Sequence, residues 1–215
     1  MLHKIILPNR ESWLEHRDRI GGSDAASIVG LNPYRSNIDL YRIKTGQIQP
    51  EDISDKPYVK YGTEAEQYLR ELFKLDYPEY EVFYEENNMF LNDRYPWAHA
   101  SLDGWLRDKQ GRMGIWECKT TNITNSTQTL KWKNRIPDNY YIQVLHYLMV
   151  TEFEFVILKA QLKFDYGEDV YLQTKHYKIE RADVEEDIKY LEHEEKKFWK
   201  NVTEHIQPAL LLPAI

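Results

Sequence analysis

Two short segments of this chain place carboxylates and a lysine near one another. Thirteen residues separate Asp103 from Glu117, and a single residue separates Glu117 from Lys119. Because side chains alternate between the two faces of a strand, Glu117 and Lys119 would project from one face. A turn at residues 108–111 would fold the Asp103 segment back beside them as a hairpin neighbour. The spacing therefore predicts two carboxylates and one ammonium at a single point, which suits magnesium-dependent phosphodiester hydrolysis.

Oxygen atoms are the ligands that Mg²⁺ prefers, and the ion typically takes one or two carboxylates plus waters and substrate phosphate. A bound ion would acidify a water molecule and neutralise the phosphate, while Lys119 could hold the attacking water. The alternative is a surface hairpin with an ordinary Glu–Lys pattern, since the spacing alone arises often by chance. The apolar frame of Ile115, Trp116 and an inward-facing Cys118 favours a central strand.

The helical pattern at residues 58–75 offers a further carboxylate. Glu66 lies at the edge of the apolar face, about 110° from its centre, and Glu64 lies about 90° away on the other flank. Either residue could reach a cleft at the end of the sheet, although a solvated helix glutamate is the simpler interpretation. Periodicity leaves the choice between them open.

A helix predicted from Pro137 to about Val150 presents polar side chains opposite its core face. Proline fits the first turn of a helix. Gln143 and Tyr147 lie on the polar side, where an amide could bind a phosphate or the attacking water. An ordinary exposed glutamine is the alternative.

The turn at residues 17–24 could form an anion pocket. Two adjacent glycines allow close approach of the backbone, and Ser23 adds a hydroxyl group. Arg17 or Arg19 would supply a fork-shaped donor. Ser23 or Asp24 is predicted to cap the helix that follows. The plainer alternative is an ordinary capped turn.

A predicted loop places three cations beside an aromatic ring. Its side chains are Lys131, Trp132, Lys133 and Arg135. Cations can grip strand phosphates and an indole can stack on a base, so this loop is a candidate for DNA binding. An exposed structural tryptophan is the alternative.

The elements that must position these residues alternate between helices and strands. Helices are predicted at residues 12–17, 24–29, 36–46, 58–75, 137–150 and 182–202, and strands at 81–85, 100–107, 113–119, 153–164 and 170–179. The polar segment 120–134 is predicted to be a mobile loop. This order predicts an α/β fold with a mixed central sheet flanked by helices.

A chain of 215 residues suits one domain. We expect an N-terminal helical part at residues 1–57, a core at 58–180, and a C-terminal helix and tail at 181–215. Hydrophobic residues make up 42% of the chain, which argues against global disorder. The single cysteine excludes an intrachain disulfide and a cysteine cluster for a metal. No apolar run is long enough to cross a bilayer, so we expect a soluble intracellular protein without a membrane partner.

The formal net charge of −7 counts mildly against a simple nucleic-acid-binding protein, which usually carries a basic surplus. It does not exclude a nuclease. Catalytic carboxylates add negative charge locally, and phosphate contacts need only a local basic patch.

Five segments, in this order, resemble the lambda-type phage exonucleases, and especially the YqaJ-like viral recombinase branch of the PD-(D/E)XK nucleases. They are residues 20–34 (IGGSDAASIVGLNPY), 61–66 (YGTEAE), 100–104 (ASLDG), 116–119 (WECK) and 141–147 (YIQVLHY). The resemblance implies a restriction-endonuclease-like core, with a mixed central sheet flanked by helices. The family's proline before its first aspartate is replaced by Leu102 here, a common departure that leaves every ligand in place.

The resemblance also implies a role for each matching residue at the strands. Asp103 and Glu117 would be the metal ligands, with the backbone carbonyl of Cys118 as a third. Lys119 would be the catalytic lysine.

On the helices, Glu66 matches the family's helix glutamate, which would give a further metal contact, and Gln143 matches its active-site glutamine. Ser23 matches the serine that holds a 5′-phosphate. Its arginine partner would be Arg17, which the register favours, or Arg19.

By resemblance, the chain would be an Mg²⁺-dependent 5′→3′ exonuclease acting on double-stranded DNA ends, with Mn²⁺ able to substitute. It would leave 3′ single strands for a single-strand annealing protein in phage-type recombination, in the cytoplasm of the host cell. The family implies a homo-oligomer, a trimeric ring that threads DNA through a basic channel. The alternatives are an endonuclease of the same superfamily, for restriction or repair, and a non-catalytic DNA-binding relative.

Overall fold

The structure is a computed structural model, and it describes residues 1–165 and 169–211. Its strands, in chain order, are β1 (Leu2–Ile6), β2 (Glu81–Phe83), β3 (Asn88–Asn92), β4 (Gly104–Arg107), β5 (Met113–Ile123), β6 (Phe155–Asp165) and β7 (Val170–Glu180). The main sheet has the order β2-β4-β5-β6-β7 among the described residues. β5 and β6 pair in parallel, and the other neighbours pair antiparallel. The predicted mixed sheet is confirmed.

Helices cover both faces of this sheet. They are α1 (Arg10–Glu15), α2 (Gly22–Ile28), α3 (Asn37–Lys44), α4 (Pro57–Asp76), α5 (Ser126–Lys131), α6 (Asp138–Thr151) and α7 (Glu185–Thr203). α4 packs Leu69 and Phe73 on the face that carries Trp116 and Cys118. α2, α6 and α7 pack on the opposite face in the larger core. The chain passes through α5 and α6 between β5 and β6, because parallel neighbours need a long crossover.

A second, smaller ladder was not predicted from the sequence. β1 pairs antiparallel with β3, from Leu2 opposite Asn92 to Ile6 opposite Asn88. Residues 100–103, predicted as the start of a strand, lie outside it because β4 begins at Gly104. Among the described residues, no helix is long and apolar enough to cross a membrane.

The start of α2 differs from the prediction. Its N-cap is Gly21, not Ser23 or Asp24. The carboxylate of Asp24 accepts a hydrogen bond from the Gly21 N–H at 3.1 Å, so this side chain supports the cap from the third helical position. The prediction erred because it placed the first polar side chain at the cap and not inside the first turn.

The segment predicted as a mobile loop, residues 120–134, is largely regular. β5 continues to Ile123 because β6 pairs with β5 as far as Ile123, which lies opposite Phe164. Asn125 then caps α5 by accepting a hydrogen bond from the Gln128 N–H at 3.0 Å. A neighbouring strand therefore overrides the polar composition of this segment.

The described part of the C-terminal tail docks on α3. The Asn37 side chain donates to the Ala209 carbonyl at 2.7 Å and accepts from the Leu211 N–H at 3.0 Å. The remainder of the apolar tail, residues 212–215, lies outside the described residues.

Candidate active site

The candidate site lies where β5 runs past the end of β4. The last pair between these strands joins Gly104 to Trp116, so the next residues of β5 have no β4 partner. Asp103 immediately precedes β4, and its Oδ2 accepts a hydrogen bond from the Cys118 N–H at 2.9 Å. The N–H and C=O of one strand residue point to the same edge, which directs the Cys118 carbonyl to this side too. The predicted hairpin proximity of Asp103 is confirmed.

Glu117 is the centre of a hydrogen-bonded group on one face of β5. Its Oε1 accepts from Lys119 Nζ at 2.6 Å and from Gln143 Nε2 at 3.1 Å. Its Oε2 is buried and, among the described residues, has no hydrogen-bond partner. A buried carboxylate oxygen without a donor is costly, so a metal ion or a water molecule bound there would stabilise this atom.

Burial and mutual repulsion change the protonation of these groups. Burial, and then the charge of Asp103, raise the pKa of Glu117 to about 8. Burial also raises the pKa of Asp103. The pKa of Lys119 is raised, because the carboxylates of Glu117 and Asp103 outweigh the opposite effect of burial. Lys119 therefore stays charged. Its single positive charge does not fully compensate the two carboxylates of Asp103 and Glu117.

The helix carboxylate that faces this site is Glu66, whereas Glu64 is exposed to solvent. Glu66 Oε1 is 2.9 Å from Nη1 of Arg70, which also donates to the Asp103 carbonyl at 2.8 Å. Burial, followed by the charge of Asp103, raises the pKa of Glu66 to about 7. The structure thus resolves the choice that periodicity left open.

The donor atoms suit a hard divalent cation. Within residues 1–165 and 169–211, no three His, Cys, Asp or Glu side chains are grouped to enclose a metal ion. Two carboxylates and a backbone carbonyl, those of Asp103, Glu117 and Cys118, match the small protein ligand set of Mg²⁺. The unpartnered Oε2 of Glu117 fits such a ligand. Glu66 is engaged by Arg70, and its part as a further ligand stays a prediction.

A cleft of about 380 Å³ joins the carboxylates of Asp103 and Glu66 to the predicted anion pocket. Ser23 and Arg17 lie on its wall with Asp103 and Glu66. Nη2 of Arg17 donates to Ser23 Oγ at 3.3 Å. Arg19 lines a different cavity. The structure therefore pairs Ser23 with Arg17 and separates it from Arg19.

Other residues on the wall of this cleft were not predicted from the sequence. Trp13 donates from Nε1 to Ser101 Oγ at 3.0 Å, and Arg17 lies over its ring at 4.6 Å. His99 also lines the cleft, as does Tyr147, which the sequence already placed on the polar side of its helix. The spacing of four residues from Trp13 to Arg17, typical of neighbours on a helix face, was the available signal.

The prediction that Trp132 stacks on a DNA base is wrong. Trp132 is 2% exposed, and its ring packs on Tyr140 and Tyr177. Its carbonyl accepts from Tyr177 Oη at 2.5 Å. The residue ends α5 and turns its indole into the core because apolar partners are available there. The neighbouring cations Lys131, Lys133 and Arg135 are exposed, as predicted.

The chain is similar to a known protein family and to one of its members. The family model for the YqaJ-like viral recombinase domain matches residues 12–154. The uncharacterized protein YqaJ of Bacillus subtilis (strain 168) is 32% identical over 144 residues, which is 66% of this chain and 42% of that protein. The chain thus spans less than half of the length of this relative.

Two solved structures share the fold. An alkaline exonuclease, LHK-Exo, from Laribacter hongkongensis superposes with a TM-score of 0.67 at 18% identity, covering 91% of this chain and 94% of that one. A phage related exonuclease from Haemophilus somnus 129PT gives a TM-score of 0.53 at 12% identity, covering 87% and 96%. With the family model matching about two thirds of its length, this chain belongs to the YqaJ-like viral recombinase family.

Proposed function

We propose that this chain is an Mg²⁺-dependent nuclease that removes nucleotides from the 5′ ends of double-stranded DNA. The observation that carries the proposal is that the Arg17–Ser23 pair and the carboxylate of Asp103 lie in the same cleft. Glu117 and Lys119 adjoin that carboxylate on β5. The structural neighbours described as exonucleases support this activity.

The metal would be held by the carboxylates of Asp103 and Glu117 and by the Cys118 carbonyl. When bound, Mg²⁺ would neutralise the scissile phosphate and acidify a nearby water. Lys119 would hold the attacking water and stabilise the hydroxide that forms from it. Gln143 keeps Glu117 in its orientation through the 3.1 Å hydrogen bond.

Attack by the water oxygen on phosphorus breaks the bond from phosphorus to the 3′ oxygen, which takes up a proton from solvent. The released product is a nucleotide. Because phosphorus keeps its bond to the 5′ oxygen, the shortened strand again carries a 5′-phosphate, and Arg17 and Ser23 would bind that group. Repetition of this step would degrade the strand in the 5′→3′ direction.

The wider role is part of the same proposal. Residues 1–215 would act as a single nuclease domain that leaves 3′ single strands for a single-strand annealing protein in the host cytoplasm. The exposed Lys131, Lys133 and Arg135 would contact the DNA backbone, which needs only a local basic patch in a chain of net charge −7. A homo-oligomeric ring would add a basic channel around the duplex.

Purified protein incubated with Mg²⁺ and three DNA substrates tests this function. Linear duplex with labelled 5′-phosphates should be digested from its 5′ ends, and unphosphorylated duplex more slowly. Covalently closed circles should stay intact. Cleavage of the circle would identify an endonuclease, and failure to digest any DNA or bind Mg²⁺ would identify a non-catalytic relative.

Arg17→Ala is expected to abolish the preference for 5′-phosphorylated ends. Its guanidinium is the charged donor beside Ser23. Loss of a charged hydrogen bond to the terminal phosphate should reduce the rate of digestion of 5′-phosphorylated duplex about 10- to 100-fold. Initial rates on phosphorylated and unphosphorylated duplex measure the effect. Arg19→Ala is the matched control, because Arg19 lies in another cavity. Equal losses in the two variants would contradict the assignment of Arg17.

The affinity for Mg²⁺ is expected to rise with pH until about pH 8. Burial and Asp103 raise the pKa of Glu117 from 4.5 to about 8, so below that pH a proton competes with the metal. Without metal, the stability of the folded protein should decrease as the pH rises from about 4.5 to 8, because the Glu117 carboxyl ionises more readily in the unfolded chain than in the folded protein. Calorimetric titration at several pH values gives the affinity, and a constant affinity would contradict this explanation.

A further inference from the structure

His99 is a buried histidine on the wall of the cleft that contains Ser23 and Asp103. It is 2% exposed, and its main chain is held on both sides. Its N–H donates to the Ile20 carbonyl at 2.9 Å, and its carbonyl accepts from His146 Nε2 at 2.8 Å. These bonds use backbone atoms of His99 alone, so its imidazole ring has no part in them.

The ring nitrogens of His99 have no hydrogen-bond partner within the part of the chain that the structure describes. Nδ1 is buried and unpaired, and Nε2 forms no hydrogen bond either. Because Nδ1 is shut off from solvent, Nε2 is the nitrogen that can reach the cleft. An unpaired buried polar group lowers stability, and in native proteins it often has a catalytic role or an ion or water as its partner.

The ring lies against the backbone of the anion pocket. A Cβ atom at Gly21 would be only 3.0 Å from Cε1 and from Nε2 of His99. Gly21 and Ser23 line the same cleft as His99. The missing side chain at Gly21 therefore lets Nε2 stand beside the segment that carries the Ser23 hydroxyl.

The charges around the ring favour an anion. Burial, and then the charge of His146, lower the pKa of His99 to about 3. Asp24 opposes this effect, while Arg17 and Lys44 add to it. The positive charges that disfavour an imidazolium here would stabilise an anion at the same place, and the imidazole itself is neutral at working pH.

A neutral imidazole carries one N–H donor and one acceptor nitrogen. A proton on Nδ1 would leave a buried donor unpaired, which is costly. A proton on Nε2 directs the one N–H of His99 into the cleft. The ring thus offers a donor to an anion without adding a charge that must itself be buried.

We propose that His99 is a third binding residue for the terminal 5′-phosphate, donating from Nε2 to a phosphate oxygen beside Arg17 and Ser23. This inference rests on the proposed nuclease function. A terminal phosphate has three strong acceptor oxygens, so a donor on the Gly21 side complements the guanidinium and the hydroxyl.

The affinity for short duplexes with 5′-phosphate or 5′-hydroxyl ends, measured without divalent cations so that no DNA is cleaved, tests this role. Loss of a hydrogen bond to a charged group weakens binding about 10-fold or more. His99→Leu should therefore reduce the preference for phosphorylated ends about 10-fold and leave the affinity for 5′-hydroxyl ends unchanged. The melting temperature should not fall, because the ring forms no hydrogen bond within the described residues. His99→Gln, whose amide nitrogen can take the place of Nε2, should keep most of the preference.

His193→Leu is the control, since the His193 side chain is 75% exposed on α7, and it should leave the preference unchanged. Full preference in a folded His99→Leu protein would overturn the proposal. So would an equal loss on both kinds of end, or a melting temperature far below that of the wild type, which would make the ring a structural residue. A His99→Gln protein no better than His99→Leu would exclude hydrogen-bond donation. Equal affinity of the wild-type protein for both ends would instead contradict the Arg17–Ser23 pocket of the proposed function, and this inference with it.

Discussion

Lys119→Met is expected to lower the rate of DNA digestion by roughly 10²- to 10⁴-fold, the usual range for loss of a proton-handling or charge-stabilising group. Lys119 Nζ lies 2.6 Å from Glu117 Oε1 and stays protonated between the two carboxylates. Methionine keeps the length of the apolar stem and removes the charge. Initial rates on 5′-phosphorylated duplex at saturating Mg²⁺ measure the loss.

The same substitution separates catalysis from metal binding. Without the ammonium, Glu117 and Asp103 keep their oxygens for the ion, so Mg²⁺ should still bind in a calorimetric titration. Lys189→Met is the control, because Lys189 pairs with Glu186 on the exposed face of α7. Digestion by the Lys119→Met protein within about twofold of wild type would rule out the role of Lys119.

The parts of the site that depend on short-range geometry were predictable from the sequence. Alternation along a strand places Glu117 and Lys119 on one face, and their 2.6 Å contact confirms it. A hairpin turn at residues 108–111 brings Asp103 beside β5. These relations involve neighbours within a single hairpin, where spacing alone determines direction.

Other parts depend on contacts between residues far apart in the chain. Trp132 is buried because Tyr177, on a strand about 45 residues later, covers it, and composition alone describes the segment as a polar loop. Arg17 and Arg19 have the same side chain and lie two residues apart, yet only Arg17 faces the cleft. The Arg17 guanidinium lies over the Trp13 ring and reaches Ser23, and periodicity over a short turn does not describe such contacts.

Asp24→Asn is expected to destabilise the protein by about 3–5 kcal/mol, the usual result of leaving buried charges without a partner. Asp24 is buried, and its carboxylate contacts Lys44 Nζ at 2.8 Å and Arg35 Nη2 at 2.6 Å. Lys44 also donates to the carbonyls of Arg17 and Arg19, so the loss would loosen the anion pocket as well. Thermal unfolding should show a melting temperature lower by roughly 6–20 °C.

The pH dependence of this loss identifies its cause. Burial alone would raise the pKa of Asp24, but Lys44 and Arg35 outweigh it and hold the pKa below its ordinary value of 3.8. A carboxyl group whose pKa is lower in the folded protein contributes its full stabilisation above its unfolded pKa. The contribution decreases as the pH falls below that unfolded pKa. The difference from wild type should therefore be constant above about pH 5 and shrink below about pH 4. Asp55→Asn, at a residue that is 96% exposed in its pair with Lys60, should leave the melting temperature unchanged at every pH. A pH-independent deficit in the Asp24→Asn protein would show that its packing, and not its charge, stabilises the fold.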